Sequence, residues 1–354
     1  MGKKILLLLL ALCLLDSCDT GDSDLNNDSS DFRYDAGDTL IVTLNSGQSE
    51  TLSLINISNS DLLQYAVGTG RVPNDMLFLR DTLYLLNSSQ QSISIYSLTP
   101  EPVHLREIAL GNQDVNLNPW NLATDGTWLW VSCFLQDLLL RVHPATGQQQ
   151  AYATGRGPEG VLCHDGLVIV TNTNYNFTDY SWGVGSITIR DGATGDSVAT
   201  VEVDLNPQRL LLTPDGNLGV MCTGDYTNSG SMLELEWDSW NLIQRRELAC
   251  DPVDACFQDD ILLLAAGGWD DSEEFPGVIC QMNWSTGDWL HSPTEPLSSH
   301  RAAMGLLPLQ SGFLVACFGS GLVDRFNADG LLIESWAAGD GVQMLLQLPE
   351  ALVH

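Results

Sequence analysis

Three segments that each end in glycine hold many of the side chains suited to ligand recognition: residues 171–185, 223–230 and 267–277. They carry Tyr175, Phe177, Tyr180, Trp182, Tyr226, Trp269 and Phe275, interspersed with Asp179, Asp225, Asp270, Asp271, Glu273 and Glu274. Rings beside polar groups suit a sugar, a peptide or a protein, because the ring supplies contact area while the polar groups fix orientation. The bland alternative is a set of solvated insertions whose rings tuck onto the scaffold. The acidic run from Asp270 to Glu274 offers the hard oxygen donors calcium takes, although EF-hand spacing is absent.

Other chemistries are excluded by residue type. Lys3 and Lys4 are the only lysines in the 354 residues. Schiff-base chemistry, pyridoxal phosphate attachment and a phosphate-loop nucleotide site all need a lysine amine further along. The six histidines show neither HxH nor HExxH spacing, and no CxxC occurs, which removes the familiar zinc patterns. No Gly-x-Ser-x-Gly elbow marks a serine nucleophile. Forty-five acidic against fourteen basic side chains give a net charge of -31, so the surface repels nucleic acid and anionic lipid alike.

The chain opens with a basic pair followed by the apolar run 5–15, which is too short to span a bilayer and reads as an export signal. Leu15-Asp16-Ser17-Cys18 closes that run and resembles the bacterial lipobox. The resemblance implies cleavage after residue 17, lipidation of Cys18 and membrane attachment on the periplasmic or extracellular side of a bacterial envelope. Residues 18–35 are acidic and rich in Ser and Asn, with too little apolar surface to fold, and are expected to act as a flexible tether.

The elements that must position the candidate residues emerge from residue 36 onward. Short apolar stretches of period two alternate with Gly, Asp, Asn and Ser turns. Turn-opening positions fall at Pro73, Pro119, Pro158, Pro207, Pro252, Arg301 and Gly341, spaced 39 to 49 residues apart. Second strands are expected near Thr82, Thr127, Leu167, Asn217, Ile261 and Phe313. Four antiparallel strands per such period is the pattern of a β-propeller blade. Six units are complete. The front supplies three strands of a seventh and residues 342–348 supply its missing first strand, so the two ends close one ring over 36–348. The fold expected is all-β, a seven-bladed monomer followed by a tail at 349–354.

Val168 to Asn172, Ile187 to Gly195 and the turn Thr213-Pro214-Asp215-Gly216 resemble the YVTN-type bacterial propeller repeat. That family implies a seven-bladed extracytoplasmic ring, mostly without known catalysis, and it brings no catalytic residues. Cys133, Cys222 and Cys317 share one place in their second strands, as small residues packed between blades would. Tryptophans in or beside strands, such as Trp130, Trp284 and Trp336, read as blade packing.

In this ring the three aromatic segments lie on one face, above blades four to six. The residues just after each turn-opening position begin the innermost strands. They include Asp75, Asn121, Glu159, Arg209, Asp254 and Arg301, a mixed set at the channel mouth that can hold a small polar ligand or simply pair with itself. The function expected is a lipid-anchored binding module for a protein or saccharide, without a cofactor. The competing expectation is a calcium-dependent, lactonase-like hydrolase. Other propellers place Asn, Glu and Asp around a channel calcium, and Asn121, Glu159 and Asp254 are the candidates here. A quinone-cofactor dehydrogenase is disfavoured by the missing lysine and Trp-docking repeat.

Overall fold

The computed structural model describes residues 32–98, 102–112 and 114–349. The expected signal segment, Cys18, the tether up to residue 31 and residues 350–354 lie outside the described residues. Seven four-stranded antiparallel sheets are arranged in a ring, each running from an innermost to an outermost strand. In blade four these are Pro158–His164, Leu167–Asn172, Val184–Asp191 and Ser197–Leu205.

Blade one takes its inner strand from the far end of the chain. Val342–Gln347 pairs antiparallel with Leu40–Asn45, in a register that sets Leu345 opposite Thr43. Ring closure is therefore as the sequence predicts. One boundary moves: Phe32 and Tyr34, expected in the tether, pack against the apolar cluster between blades one and two.

The core is not central but divided among the junctions. Among the described residues there are seven apolar clusters, one between each pair of neighbouring blades. A middle strand is covered on both faces by adjacent blades, which is why it reads as an unbroken apolar run. Leu129–Cys133, Leu218–Cys222 and Phe313–Cys317 are buried throughout, and all three cysteines remain free thiols. Outermost strands are largely exposed or half-buried instead, because one face meets solvent. In blade six the outer strand is split into Trp289–His291 and Leu297–Ser299. Pro293 and Pro296 lie in the gap and cannot donate to the ladder.

A left-handed residue introduces most inner strands. Val72, Asn118, Gly157, Asn206, Ala302 and Gly341 all have φ between 46° and 66°. The carbonyl of each accepts a bond from the amide just after that blade's second strand, as in Thr173 N to Gly157 O at 2.9 Å and Ser46 N to Gly341 O at 3.0 Å.

Closure makes a stability prediction. Leu345 is 4% exposed and belongs to the blade seven–blade one cluster, whereas Leu331 is 62% exposed. Leu345→Ala should cost about 2–5 kcal/mol in denaturant unfolding. Leu331→Ala should stay within about 0.5 kcal/mol. Equal effects would show that the last strand does not complete the ring.

Candidate functional site

The loop of blade four folds a small hairpin of its own, Tyr175–Asn176 against Ser181–Trp182. Asp179 fixes its turn by accepting from the Ser181 amide and hydroxyl. Tyr180 sits at the tip with φ 58°, and in the blade five loop Tyr226 has φ 63°. Side-chain-bearing residues seldom hold that conformation unless their surroundings impose it. At Tyr226 the surroundings include Asp225, whose Oδ1 accepts from the amides of Thr227 and Asn228.

These two loops meet through a chain of rings. Tyr175 lies 5.0 Å from Phe177 and 5.1 Å from Trp182, which in turn lies 5.7 Å from Tyr226. The chain continues into blade three, where Phe134 is 5.7 Å from Phe177 and 5.8 Å from Trp120. Tyr175 is buried, so it anchors the others, while Phe177 and Tyr180 are 43% and 52% exposed. Beside this chain, between blades four and five, runs a groove of about 530 Å³ bordered by Asp204, Asn228, Arg245 and Glu247.

The blade six loop does not join them. Trp269 packs on Phe318 and Phe275 on His300, both toward blade seven. Asp270 accepts from the amide and hydroxyl of Ser272, and Asp271 pairs with Arg301. The acidic run is therefore drawn apart by its own turn and by an arginine. Among the described residues no three His, Cys, Asp or Glu side chains gather as metal ligands do. The aromatic face is thus centred on blades three to five rather than four to six. Phe134 and Trp120 are the members that sequence reasoning missed. A signal existed: VSCFL and VACFG place Phe134 and Phe318 alike, and each receives a ring from a neighbouring loop.

Below the mouth, the channel residues tie inner strand to inner strand. Asp75 Oδ2 accepts from Asn121 Nδ2 and Leu122 N, both at 2.6 Å, and Asn121 Oδ1 accepts from Val161 N at 2.8 Å. Asp254 accepts from Leu306 N at 2.9 Å and pairs with Arg209 Nε at 3.2 Å. Burial pushes Asp75 up to about 6 against the pull of the Leu122 and Met76 amides and of Arg209. Burial raises Asp254 as well, and Asp254 in turn raises Arg209. A cavity of about 220 Å³ opens here, bordered by Asp75, Asn121, Arg209 and Met344. Arg301 stands apart, held by the Gly319 carbonyl.

The calcium set does not fit this geometry. Asn121 and Asp254 have their oxygens turned to backbone amides of the next blades and to Arg209, and only Glu159 is without such a tie. Calcium needs six or more converging oxygens. Glu159 is 6% exposed, and burial alone drives its carboxyl up to about 8. Tyr226 rises too, chiefly by burial and then by the nearby charge of Glu159.

A folded carboxyl held above its unfolded value adds stability at low pH. That contribution is complete below about 4.5 and is lost as pH rises through 8. Thermal melts from pH 5 to 8.5 should show Glu159→Gln gaining on the native chain by a few kcal/mol as pH rises. Parallel curves would contradict the burial assigned to Glu159.

No protein-family model matches the chain, and no curated protein does. Solved structures do. A Bacteroides uniformis protein named provisionally as a 6-phosphogluconolactonase superposes with a TM-score of 0.63 at 12% identity, covering 88% of this chain and 99% of its own. A Bacteroides fragilis protein of the same provisional name gives 0.61 at 12%, with 94% and 100% covered. Hydrazine synthase of Kuenenia stuttgartiensis gives 0.62 at 14%, with 77% and 88% covered. Such different proteins at such low identity share a scaffold and not an activity, and the chain is a seven-bladed β-propeller.

Proposed function

We propose that this protein is a binding module, anchored by lipid at Cys18 outside the cytoplasm, that holds a protein or saccharide partner on the loop face of blades three to five. The observation that carries the reading is the continuous ring chain from Trp120 through Phe134, Tyr175 and Trp182 to Tyr226, with Phe177 and Tyr180 left open to solvent. Buried rings make the surface stiff, and exposed rings give it contact area at small entropic cost. The adjoining groove with Asp204, Arg245 and Glu247 adds polar groups at the rim. Rigid scaffolds that present variable loops commonly work in this way.

The competing reading is a calcium-dependent hydrolase with its site in the channel. The provisional names of the two Bacteroides structures favour it, and so does the raised Glu159 carboxyl. Against it stand the engaged oxygens of Asn121 and Asp254. Calcium-stimulated turnover across a lactone and ester panel, lost in Glu159→Gln, would restore it.

Retention on a panel of immobilised polysaccharides and envelope proteins tests the binding reading. Phe177→Ala and Trp182→Ala should weaken retention about tenfold, while Trp269→Ala leaves it unchanged. If Trp269→Ala alone matters, the partner sits over blades six and seven. The anchor has its own test: Cys18→Ala should abolish labelling by a radioactive fatty acid and release the chain from the membrane fraction.

A further inference from the structure

Seven cysteines lie among the described residues, all as free thiols. Cys280, in the third strand of blade six (Gly277–Asn283), is 0% exposed and belongs to the apolar cluster between blades five and six. Cys250, half-buried, packs against that same cluster. The two side chains meet there, the Cys250 thiol donating a hydrogen bond to the Cys280 sulfur. Cys256 and Cys317 share the next junction, but Cys317 Sγ donates to Asp324 Oδ2 at 3.4 Å instead.

The pair stands where the ring is fastened differently. In six blades the carbonyl before the inner strand is fixed by the amide that follows the second strand. Blade six lacks that bond, and the Ala266 amide donates to the Val278 carbonyl. Its inner strand, Asp254–Gln258, is entered by a segment hung on blade five. Gly230 N donates to Cys250 O at 2.8 Å, and Thr223 Oγ1 donates to Pro252 O at 2.9 Å. Cys250 thus has its backbone tied to blade five and its thiol against blade six.

The thiols are also unequal. Burial raises Cys133, Cys163, Cys222, Cys256 and Cys317. The hydrogen bond from Cys250 holds Cys280 below the usual thiol value in spite of burial. A thiolate is the attacking form in disulfide exchange, so Cys280 is suited to the closing step.

We propose that Cys250 and Cys280 form a disulfide that joins the entry segment of blade six, held on blade five, to the third strand of blade six. The oxidant is itself a disulfide, the class that maintains such bonds outside the cytoplasm. Half-buried Cys250 meets it first. The Cys250 sulfur attacks one oxidant sulfur, and a mixed disulfide forms as the first oxidant thiol leaves with the proton. The Cys280 thiolate then attacks the Cys250 sulfur, and the second oxidant thiol leaves with the Cys280 proton. Two protein thiols are oxidised and one oxidant disulfide is reduced to two thiols. The new bond restrains the unfolded chain and supplies blade six with a fastening in place of the absent backbone bond.

Reducing the full chain, incubating it with oxidised glutathione, alkylating it and cleaving before aspartate tests the pairing. That cleavage puts Cys250, Cys256 and Cys280 on three different peptides. The peptide ending at Cys250 should be found linked to the one carrying Cys280. In thermal melts a reductant should lower the midpoint of the oxidised chain by about 3–6 °C. Cys250→Ser should show no reductant shift, while Cys163→Ser keeps it. Neither measurement involves Cys18 or a bound partner, so the disulfide and the binding reading stand or fall separately. Should Cys250→Ser fail to fold, the peptide map of the native chain still decides. Alkylation of both thiols after oxidation, a lasting glutathione adduct on Cys250, linkage of either thiol to another cysteine, or a reductant shift that persists in Cys250→Ser would overturn the proposal.

Discussion

A single hydrogen bond, repeated in six of the seven blades, governs where most of the candidate residues sit. A residue in the left-handed region turns the chain from the rim onto the axis, and its carbonyl is then fixed by the amide that follows the second strand of the same blade. The bond does two things at once. It sets the first residues of the inner strand at the channel mouth, and it sets the start of the second-to-third loop directly above them. Glycine and asparagine reach that conformation cheaply at Gly157, Gly341, Asn118 and Asn206. Val72 and Ala302 hold it at a steric cost that the surrounding bonds must outweigh.

The blade that lacks this bond shows what it does. In blade six the second strand ends at Ala265, and Gly267 and Gly268 pair instead with Ala302 and Ala303 of blade seven. Both glycines have positive φ, and a Cβ on Gly268 would collide with the Pro276 carbonyl. The loop that follows is thereby tied to the next blade, which is why Trp269 finds Phe318 and Phe275 finds His300. The aromatic face divides at this point for a backbone reason, before any side chain is considered.

The contrast between what was and was not legible follows from the same physics. Inner strands begin at Pro73, Pro119, Pro158 and Pro207 as the proline spacing indicates, and second strands begin at Thr82, Leu167, Ile261 and Phe313 as expected. These are local features, fixed by residues that restrict their own backbone. The equivalence of Cys133, Cys222 and Cys317 was also legible. That Asn45, Asn87 and Asn172 fill the same strand-end place, donating into Ser and Thr hydroxyls of the third strand or its turn, was available by the same alignment of repeats. The joining of Phe134 to the blade four loop was not, because it depends on which way a long loop leans. The solvation of Glu159 depends likewise on neighbours far away in sequence. Glu159 stands one residue after its turn-opening proline, where Asp75 and Asp254 stand two after theirs, and only the fold shows that no donor among the described residues reaches its carboxylate.

The division of the core among seven junctions explains how an irregular residue at the channel mouth is tolerated. Each apolar cluster involves two blades, so a poor arrangement at one mouth position is not transmitted around the ring. The junction of blades three and four packs Trp130, Leu139, Val168 and Val170 below the mouth, with Arg141 stacked on Trp128 at 4.3 Å and Trp130 at 5.3 Å. That packing holds the inner strands of both blades whether or not Glu159 has a counter-charge. A desolvated acid in a small single core would threaten the whole fold, whereas here its cost falls on two blades already stapled by rings. The scaffold can therefore vary the residue at one mouth position without loosening the rest of the ring.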